Sequence, residues 1–85
     1  MPEQFVVTIV CDGNRVLLDN TLCELRREAP FGYAHAKKSA EPRCIEVPRP
    51  ADSQQEAEDE VAKMLENHID EPDRRWVSVR RADAR

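Results

Sequence analysis

The segment that most constrains the fold runs from Ser53 to Ile69 and reads SQQEAEDEVAKMLENHI. Its apolar residues recur at the i, i+4, i+7, i+8 and i+12 spacing that gathers side chains on one face of an α-helix. They are Ala57, Val61, Met64, Leu65 and Ile69. Ser53 and Glu56 have the spacing of a capping box, and Pro72 cannot continue a helix because it lacks an N–H donor. The pattern therefore predicts an amphipathic helix over residues 53–69 that packs on a sheet.

The opposite face of this predicted helix is acidic. Its carboxylates, offset only by Lys63, are Glu56, Asp59, Glu60, Glu66 and Asp70. Residues 46–71 as a whole carry nine acidic and two basic side chains. Such a face is usually a solvated surface with i,i+4 pairs such as Asp59 with Lys63. Carboxylates at Asp70 and Glu71, at the end of the helix, oppose its dipole at a cost of about 0.3–1 kcal/mol each. We therefore predict that the acidic face binds a partner.

A strand is predicted near the start of the chain. Residues 4–11, QFVVTIVC, are mostly β-branched or aromatic, and both alternating faces are apolar, which is typical of a central strand. The Asp12-Gly13 pair that follows is the best hairpin signal in the chain, because tight hairpin turns need residues that tolerate positive φ. We expect residues 15–18 to pair back as a second, antiparallel strand.

The middle of the chain is less regular. A Thr-x-x-Glu spacing favours a short helix over residues 20–29, although residues 21–25 also alternate as a strand would. Residues 31–41 have no clear period and are predicted to form a loop, long enough to take part in binding. Residues 43–47 alternate between two prolines, which predicts a strand at the edge or start of a sheet.

The C-terminal segment is basic, with two acidic and five basic side chains in residues 72–85. Residues 74–81, RRWVSVRR, have the composition of a last strand, and residues 82–85 are predicted to be a frayed tail. The order of elements indicates an α+β fold. We expect a small two-layer sandwich, in which one long helix packs on a mostly antiparallel sheet of about four strands.

Catalytic and metal-binding patterns are weak. A chain of 85 residues forms one small domain, and a deep pocket would take a large share of its interior. His68 falls within the apolar stripe of the helix and is expected to be half-buried, and His35 lies in the predicted loop without a catalytic spacing. Cys11, Cys23 and Cys44 lack the paired spacing of zinc ligands and favour reduced thiols. We therefore expect no enzyme activity, no metal site and no cofactor.

The sequence also bears on location and class. It has neither an apolar run long enough to cross a bilayer nor the order of a signal peptide, which predicts a cytoplasmic protein without membrane contact. In size, acidity and lack of catalytic motifs, the chain resembles the small inhibitors that phages and mobile elements direct against host complexes, anti-CRISPR proteins among them. The resemblance is one of class and covers no specific stretch. It implies an inhibitor that binds a basic surface of a host nucleic-acid-processing or defence complex.

Two other functions stay open. The first is a nucleic-acid-binding module, in which cationic side chains surround an aromatic stacking platform. Its candidate residues are Arg74, Arg75, Trp76, Arg80 and Arg81. The net charge of −4 disfavours this function, because it repels phosphates at long range. The second is a structural subunit of a homo-oligomer, for instance a homodimer, since edge strands can pair across a two-fold axis.

Overall fold

The fold is organised around a central strand, β1 (Glu3–Cys11), as the composition of residues 4–11 predicts. The computed structural model describes residues 3–28 and 35–84. The elements after β1 are α1 (Arg15–Glu28), β2 (Lys37–Lys38), β3 (Cys44–Ala51), α2 (Gln54–His68), a 3-10 helix (Asp73–Trp76) and β4 (Val77–Ala84). The protein is thus an α+β domain with a four-stranded antiparallel sheet and two helices, where one long helix and a second, short helix over residues 20–29 were predicted.

The sheet joins strands that are distant in the sequence. Its order is β2-β3-β1-β4, and all neighbours are antiparallel. β1 pairs with β3 from Glu3 opposite Ala51 to Val10 opposite Cys44. On its other side β1 pairs with β4, with a shift in register after Thr8. β1 therefore has a partner strand on both sides, and β4 forms one edge of the sheet.

The hydrophobic core takes buried residues from the sheet and from both helices. From β1 it takes Phe5, Val7, Ile9 and Cys11, from α1 Leu17, Leu22 and Leu25, and from α2 Ala57, Val61, Met64 and Leu65. Alternate residues of a strand point to opposite faces, so the β1 residues in this set lie on one face of the sheet. α2 lies mainly against β4, with further contacts to β1 and β3.

The predicted hairpin after β1 is wrong. Residues 15–18 do not form a strand but the first turn of α1. The side chain of Asn14 accepts a hydrogen bond from the N–H of Leu17 at 2.9 Å, as an N-cap residue does. Gly13 has no left-handed φ, and a Cβ there would overlap Cδ2 of Leu17. The glycine therefore makes room for a core leucine instead of turning a hairpin.

The predicted short helix over residues 20–29 is confirmed as a helix through residue 28, but it begins earlier than expected. Thr21 is not its N-cap. It lies inside α1, is buried, and hydrogen-bonds the thiol of Cys11 at the end of β1. The Thr-x-x-Glu spacing thus fell within a helix that had already begun. Residue 29 lies outside the described residues.

The predicted loop over residues 31–41 contains a strand. Lys37–Lys38 form β2 on the edge of β3, and residues 31–34 lie outside the described residues. Arg43, immediately before β3, has a φ of 62° in the left-handed range. The sequence has neither glycine nor asparagine at this position, so its composition gave no signal of a left-handed residue there.

Strand β3 continues past the predicted residues 43–47 to Ala51 and so includes Pro48 and Pro50. β2 pairs only with Ile45 and Glu46. The two prolines therefore lie where β3 has β1 on one side and, within residues 3–28 and 35–84, no strand on the other. A proline is tolerated at such a position because its missing N–H removes no bond between strands.

The C-terminal strand begins later and ends later than predicted. Residues 74–76 belong to the 3-10 helix, and β4 runs over Val77–Ala84. Residues 82–84 are part of the sheet and not a frayed tail, since Ala82 is 1% exposed within the core. Arg85 lies outside the described residues.

Candidate binding surface on helix α2 and strand β4

Helix α2 confirms the prediction for residues 53–69. The hydroxyl of Ser53 accepts a hydrogen bond from the N–H of Glu56 at 3.2 Å, and the carboxylate of Glu56 accepts one from the N–H of Asp52 at 3.4 Å. The helix ends at His68 with an extended residue, Ile69, as its C-cap. The five predicted apolar residues are all buried. The caps and the core contacts together fix which face of α2 points outward.

Four of the five predicted binding carboxylates are exposed. They are Glu56, Asp59, Glu66 and Asp70. Glu56 belongs to the helix cap, and Asp59 accepts a hydrogen bond from Gln55 Nε2 at 2.8 Å. The predicted pair of Asp59 with Lys63 is not among the ion pairs of the described residues. Asp59 and Glu66 lie two helical turns apart, about 10 Å along the axis. They form an acidic rim along the exposed side of α2.

Glu60 differs from the other four carboxylates because it forms an ion pair with Arg49 of β3. Arg49 is only 7% exposed and lies opposite Phe5, on the core face of the sheet. The side chain of Glu60 is 40% exposed, so the ion pair lies at the edge of the core and joins α2 to the sheet. A charged side chain buried in this way needs an opposite charge beside it. Glu60 therefore stabilises the fold, which its position in the acidic pattern did not indicate.

Glu58 was missing from the predicted set and also has a defined contact. One of its carboxylate oxygens accepts a hydrogen bond from the N–H of Ala82 in β4 at 3.1 Å. Glu58 lies on the flank of α2 that faces the edge strand, so the helix caps part of that edge. The sequence placed Glu58 within the acidic run, but only the packing of α2 beside β4 distinguishes it from its neighbours.

A groove of about 540 Å³ separates α2 from the beginning of β4. We call it the α2–β4 groove. It is lined by Asp59, Ala62, Lys63, Leu65, Glu66, Arg74, Val77, Ser78 and Val79. Its floor is apolar, with Leu65 and Val77 buried, and its helical side carries the acidic rim of Asp59 and Glu66. The groove thus combines an apolar floor, exposed carboxylates and the edge of a sheet. The sequence pattern indicates the carboxylates but not the position of the strand edge.

The predicted basic site is dispersed and largely paired. Arg74 forms an ion pair with Glu71 at 3.4 Å, and the Nε of Arg75 donates a hydrogen bond to the carbonyl of Pro72 at 3.3 Å. Trp76 is 49% exposed but ends the 3-10 helix and does not share a strand face with the arginines. Aromatic and cationic side chains are therefore not aligned along one strand as predicted.

The other two arginines of that site, Arg80 and Arg81, both form ion pairs with Glu41, and Arg81 also pairs with Asp83 at 2.8 Å. The hydrogen bond from Arg81, together with the charges of both arginines, holds the pKa of Glu41 below its usual value. The same contacts raise the pKa of Arg81. The positive charge at this end of the sheet is thus offset by carboxylates of the same chain.

The remaining candidates are the histidines and the cysteines. His68 is exposed, so the expectation of a half-buried histidine is wrong: the helix ends there and leaves the ring at its margin. His35 is exposed as well. All three cysteines are free, with Cys11 and Cys44 buried and Cys23 exposed. Within residues 3–28 and 35–84, no three His, Cys, Asp or Glu side chains cluster in a way that could hold a metal ion.

Neither helix in the part of the chain that the structure describes has the length and apolar character required to cross a membrane. Comparison of the chain with models of known protein families, with curated proteins and with solved structures found no match.

Proposed function

We propose that the protein is a non-enzymatic binding module, which presents the acidic side of α2 to a basic surface of a protein partner. The observation that supports this proposal is a contrast in charge. Asp59, Glu66 and Asp70 are exposed and have no ion-pair partner among residues 3–28 and 35–84. The arginines at the end of the sheet, by contrast, are paired with carboxylates. Of these two surfaces, the acidic side of α2 is therefore the one with charge available for a partner.

The proposed binding set is narrower than the predicted one. Glu56 caps the helix and Glu60 pairs with Arg49, so these two carboxylates support the fold. We assign binding to Asp59, Glu66 and Asp70. The assignment assumes a two-layer sandwich, with both helices on one face of the sheet. The shared core of β1, α1 and α2 favours that arrangement.

The biological role that fits this surface is inhibition by occlusion. A small acidic protein can cover the basic groove of a nucleic-acid-processing or defence complex, because electrostatic attraction steers it to that groove. A source in a phage or mobile element and a cytoplasmic location both belong to the proposal. They are the setting in which such a target would be met.

The test is capture of a partner by matched variants. Wild-type protein and the variant Asp59→Lys/Glu66→Lys are immobilised and incubated with lysate of the source or host cell. Both positions are exposed, so the fold should survive the change, which a thermal melt checks. Capture that the wild type shows and the variant loses supports the proposal, and equal capture by both proteins would refute it.

Nucleic-acid binding through Arg74, Arg75, Trp76, Arg80 and Arg81 remains the alternative. Ion pairs to Glu41, Glu71 and Asp83 reduce the positive charge available to phosphates, so we favour it less. Retention on heparin or single-stranded DNA at low salt, falling as salt rises, would support it over our proposal. The third function, a homo-oligomeric subunit, predicts an apparent mass that rises with protein concentration.

A further inference from the structure

We propose that the α2–β4 groove binds an extended segment of the partner, which adds as a fifth strand to the open edge of β4 and carries basic side chains. This inference rests on the proposed function, because it assigns a binding mode and a partner chemistry to the same surface. Addition of a strand to an exposed sheet edge is a recurrent mode of peptide recognition. Main-chain hydrogen bonds then supply affinity, and side-chain pockets supply specificity.

The backbone of β4 is open where the groove lies. Among the described residues, β4 has β1 on one side and no strand on the other. The N–H of Asp12, which follows β1, donates to the carbonyl of Trp76 at 2.7 Å. Since backbone groups alternate along an antiparallel strand, Ser78 then faces β1, whereas Val77 and Val79 face the open edge. The N–H of Val77 donates to the carbonyl of Arg74. The groups left for an added strand are the carbonyl of Val77 and both backbone groups of Val79.

The other half of the same edge is closed. The carboxylate of Glu58 accepts the outward N–H of Ala82 at 3.1 Å, so a further strand cannot use this donor without displacing it. Natural sheets protect exposed edges in this way against unwanted pairing. The protection covers Ala82 and not Val79, and the unprotected part coincides with the α2–β4 groove. This coincidence defines the register in which a segment would add.

The side chains around the groove define the chemistry of the segment. A residue opposite Val77 or Val79 would point to the same face as these valines, toward the apolar floor that they form with Leu65. An apolar side chain fits this position. Cationic side chains two residues before and after it point to the same face, where they would reach Asp59 and Glu66 on the rim. Lys63, between the two carboxylates, would weaken that attraction.

A second copy of the chain is a poorer occupant of the edge. If two β4 strands paired antiparallel, both copies of α2 would lie on the same side of the joined sheet and face each other across the groove. Each copy of α2 has five acidic side chains and one lysine. Like charges brought together in this way oppose association. A basic segment of another protein is attracted by the same charges.

The probe is an acetylated peptide of about seven residues, close to the usual length of a strand, with valine at its centre, lysine two residues before and after the valine, and threonine at the other positions. The valine and both lysines then point to the face of α2. It is titrated into isotope-labelled protein and followed by the shifts of backbone amide resonances. We expect saturable shifts at residues 77–79 and 62–66, and a loss of binding when alternate peptide nitrogens are methylated. A peptide with glutamate in place of lysine should bind at least several-fold more weakly.

Two pairs of variants isolate the contacts. Val79→Pro removes the edge donor, whereas Val79→Ala shortens the side chain and keeps the donor, so only the first should abolish binding. Lys63→Glu should strengthen peptide binding roughly 2–5-fold, and Glu66→Lys should weaken it to a similar extent, as expected for one exposed charge pair. If Val79→Pro does not fold, the methylated peptide still tests strand addition on the wild-type protein, because it removes the complementary hydrogen bonds from peptide N–H groups to the carbonyls of Val77 and Val79.

Three results would overturn the inference: no saturable binding up to roughly 1 mM peptide, equal binding of the methylated or the glutamate peptide, or shifts at residues 77–79 that depend on protein concentration alone. The last result would identify a second copy as the occupant. If peptide binding fails while partner capture still depends on Asp59 and Glu66, the strand-addition mode is wrong and the proposed function stands. If capture is unaffected by these charges, the proposed function itself is wrong.

Discussion

Replacing Glu60 with alanine should destabilise the fold much more than replacing Glu66, although both are carboxylates on the same helix. Glu60 forms an ion pair with Arg49, which is 7% exposed, whereas Glu66 is exposed and contacts solvent. Breaking a fully buried pair costs about 3–5 kcal/mol. Because the side chain of Glu60 is 40% exposed, we expect about 2 kcal/mol, the range for a hydrogen bond to a charged group.

The expected difference is large enough to measure by thermal unfolding. For a domain of this size, about 2 kcal/mol corresponds to a fall in Tm of about 8–16 °C. Glu66→Ala should change stability by about 0.5 kcal/mol or less, and hence Tm by less than about 4 °C. Circular dichroism melts of both variants at neutral pH, with urea unfolding as a second measure, provide the comparison. Equal shifts for the two variants would refute the distinction between a structural and a surface carboxylate.

Three further predictions concern the core, the thiols and the dependence on pH. Leu65→Ala should lower the free energy of unfolding by about 2–5 kcal/mol, because it leaves a cavity beneath α2. Urea denaturation measures the loss, and a loss no larger than that of Glu66→Ala would contradict the orientation of the helix. Iodoacetamide should alkylate the exposed Cys23 in the native protein and spare Cys11, because burial raises the pKa of the Cys11 thiol to about 11. Mass spectrometry of the peptides follows the labelling, and early labelling of Cys11 would contradict its burial. The pKa of Glu41 is lowered by its arginine partners, so its contribution to stability is present above its ordinary value of 4.5 and is lost as pH falls below it. Glu41→Gln should therefore be less stable than wild type at neutral pH and should lose less stability than wild type on acidification. Urea midpoints of both proteins, measured at neutral pH and at a pH below 4.5, provide the comparison.

The elements that could be predicted from the sequence are those whose signals are long and mutually consistent. In α2, the apolar spacing, the Ser53 cap and the acidic outer face all indicate one helix, and the structure confirms it. β1 was equally clear, because its β-branched and aromatic composition is that of a strand, and in the structure it pairs with β3 on one side and β4 on the other. These two elements define the centre of the sheet and the helix that carries the candidate site.

Predictions of the other elements were wrong where a short sequence motif competed with a longer periodic pattern. Asp12-Gly13 suggested a hairpin, but Asn14 caps a helix whose apolar residues, including Leu17, recur every three to five positions. The longer periodicity was the better guide, because burial of several leucines outweighs the preference of a two-residue turn. The turn before β3 depends on a left-handed arginine, Arg43, for which composition gives no signal.

The candidate site was only half predictable. The acidic residues could be read from the helix pattern, but the separate tasks of Glu58 and Glu60 depend on Ala82 and Arg49, which belong to strands on either side of α2 in the sequence. The open edge at Val77–Val79 likewise arises from strand order, which no local pattern encodes. Contacts between distant segments, and not residue type, separate structural carboxylates from those available to a partner.

The central claim is that the unpaired carboxylates of α2, and not the ion-paired arginines at the end of the sheet, bind the partner. The most direct measurement is the affinity of the captured and purified partner for three proteins: wild type, Asp59→Lys/Glu66→Lys, and a matched variant, Arg80→Glu/Arg81→Glu. We predict that affinity falls at least tenfold for the first variant, that it stays within about twofold for the second, and that it weakens as salt rises. Unchanged affinity for the acidic-face variant, together with loss of binding by the arginine variant, would contradict the account.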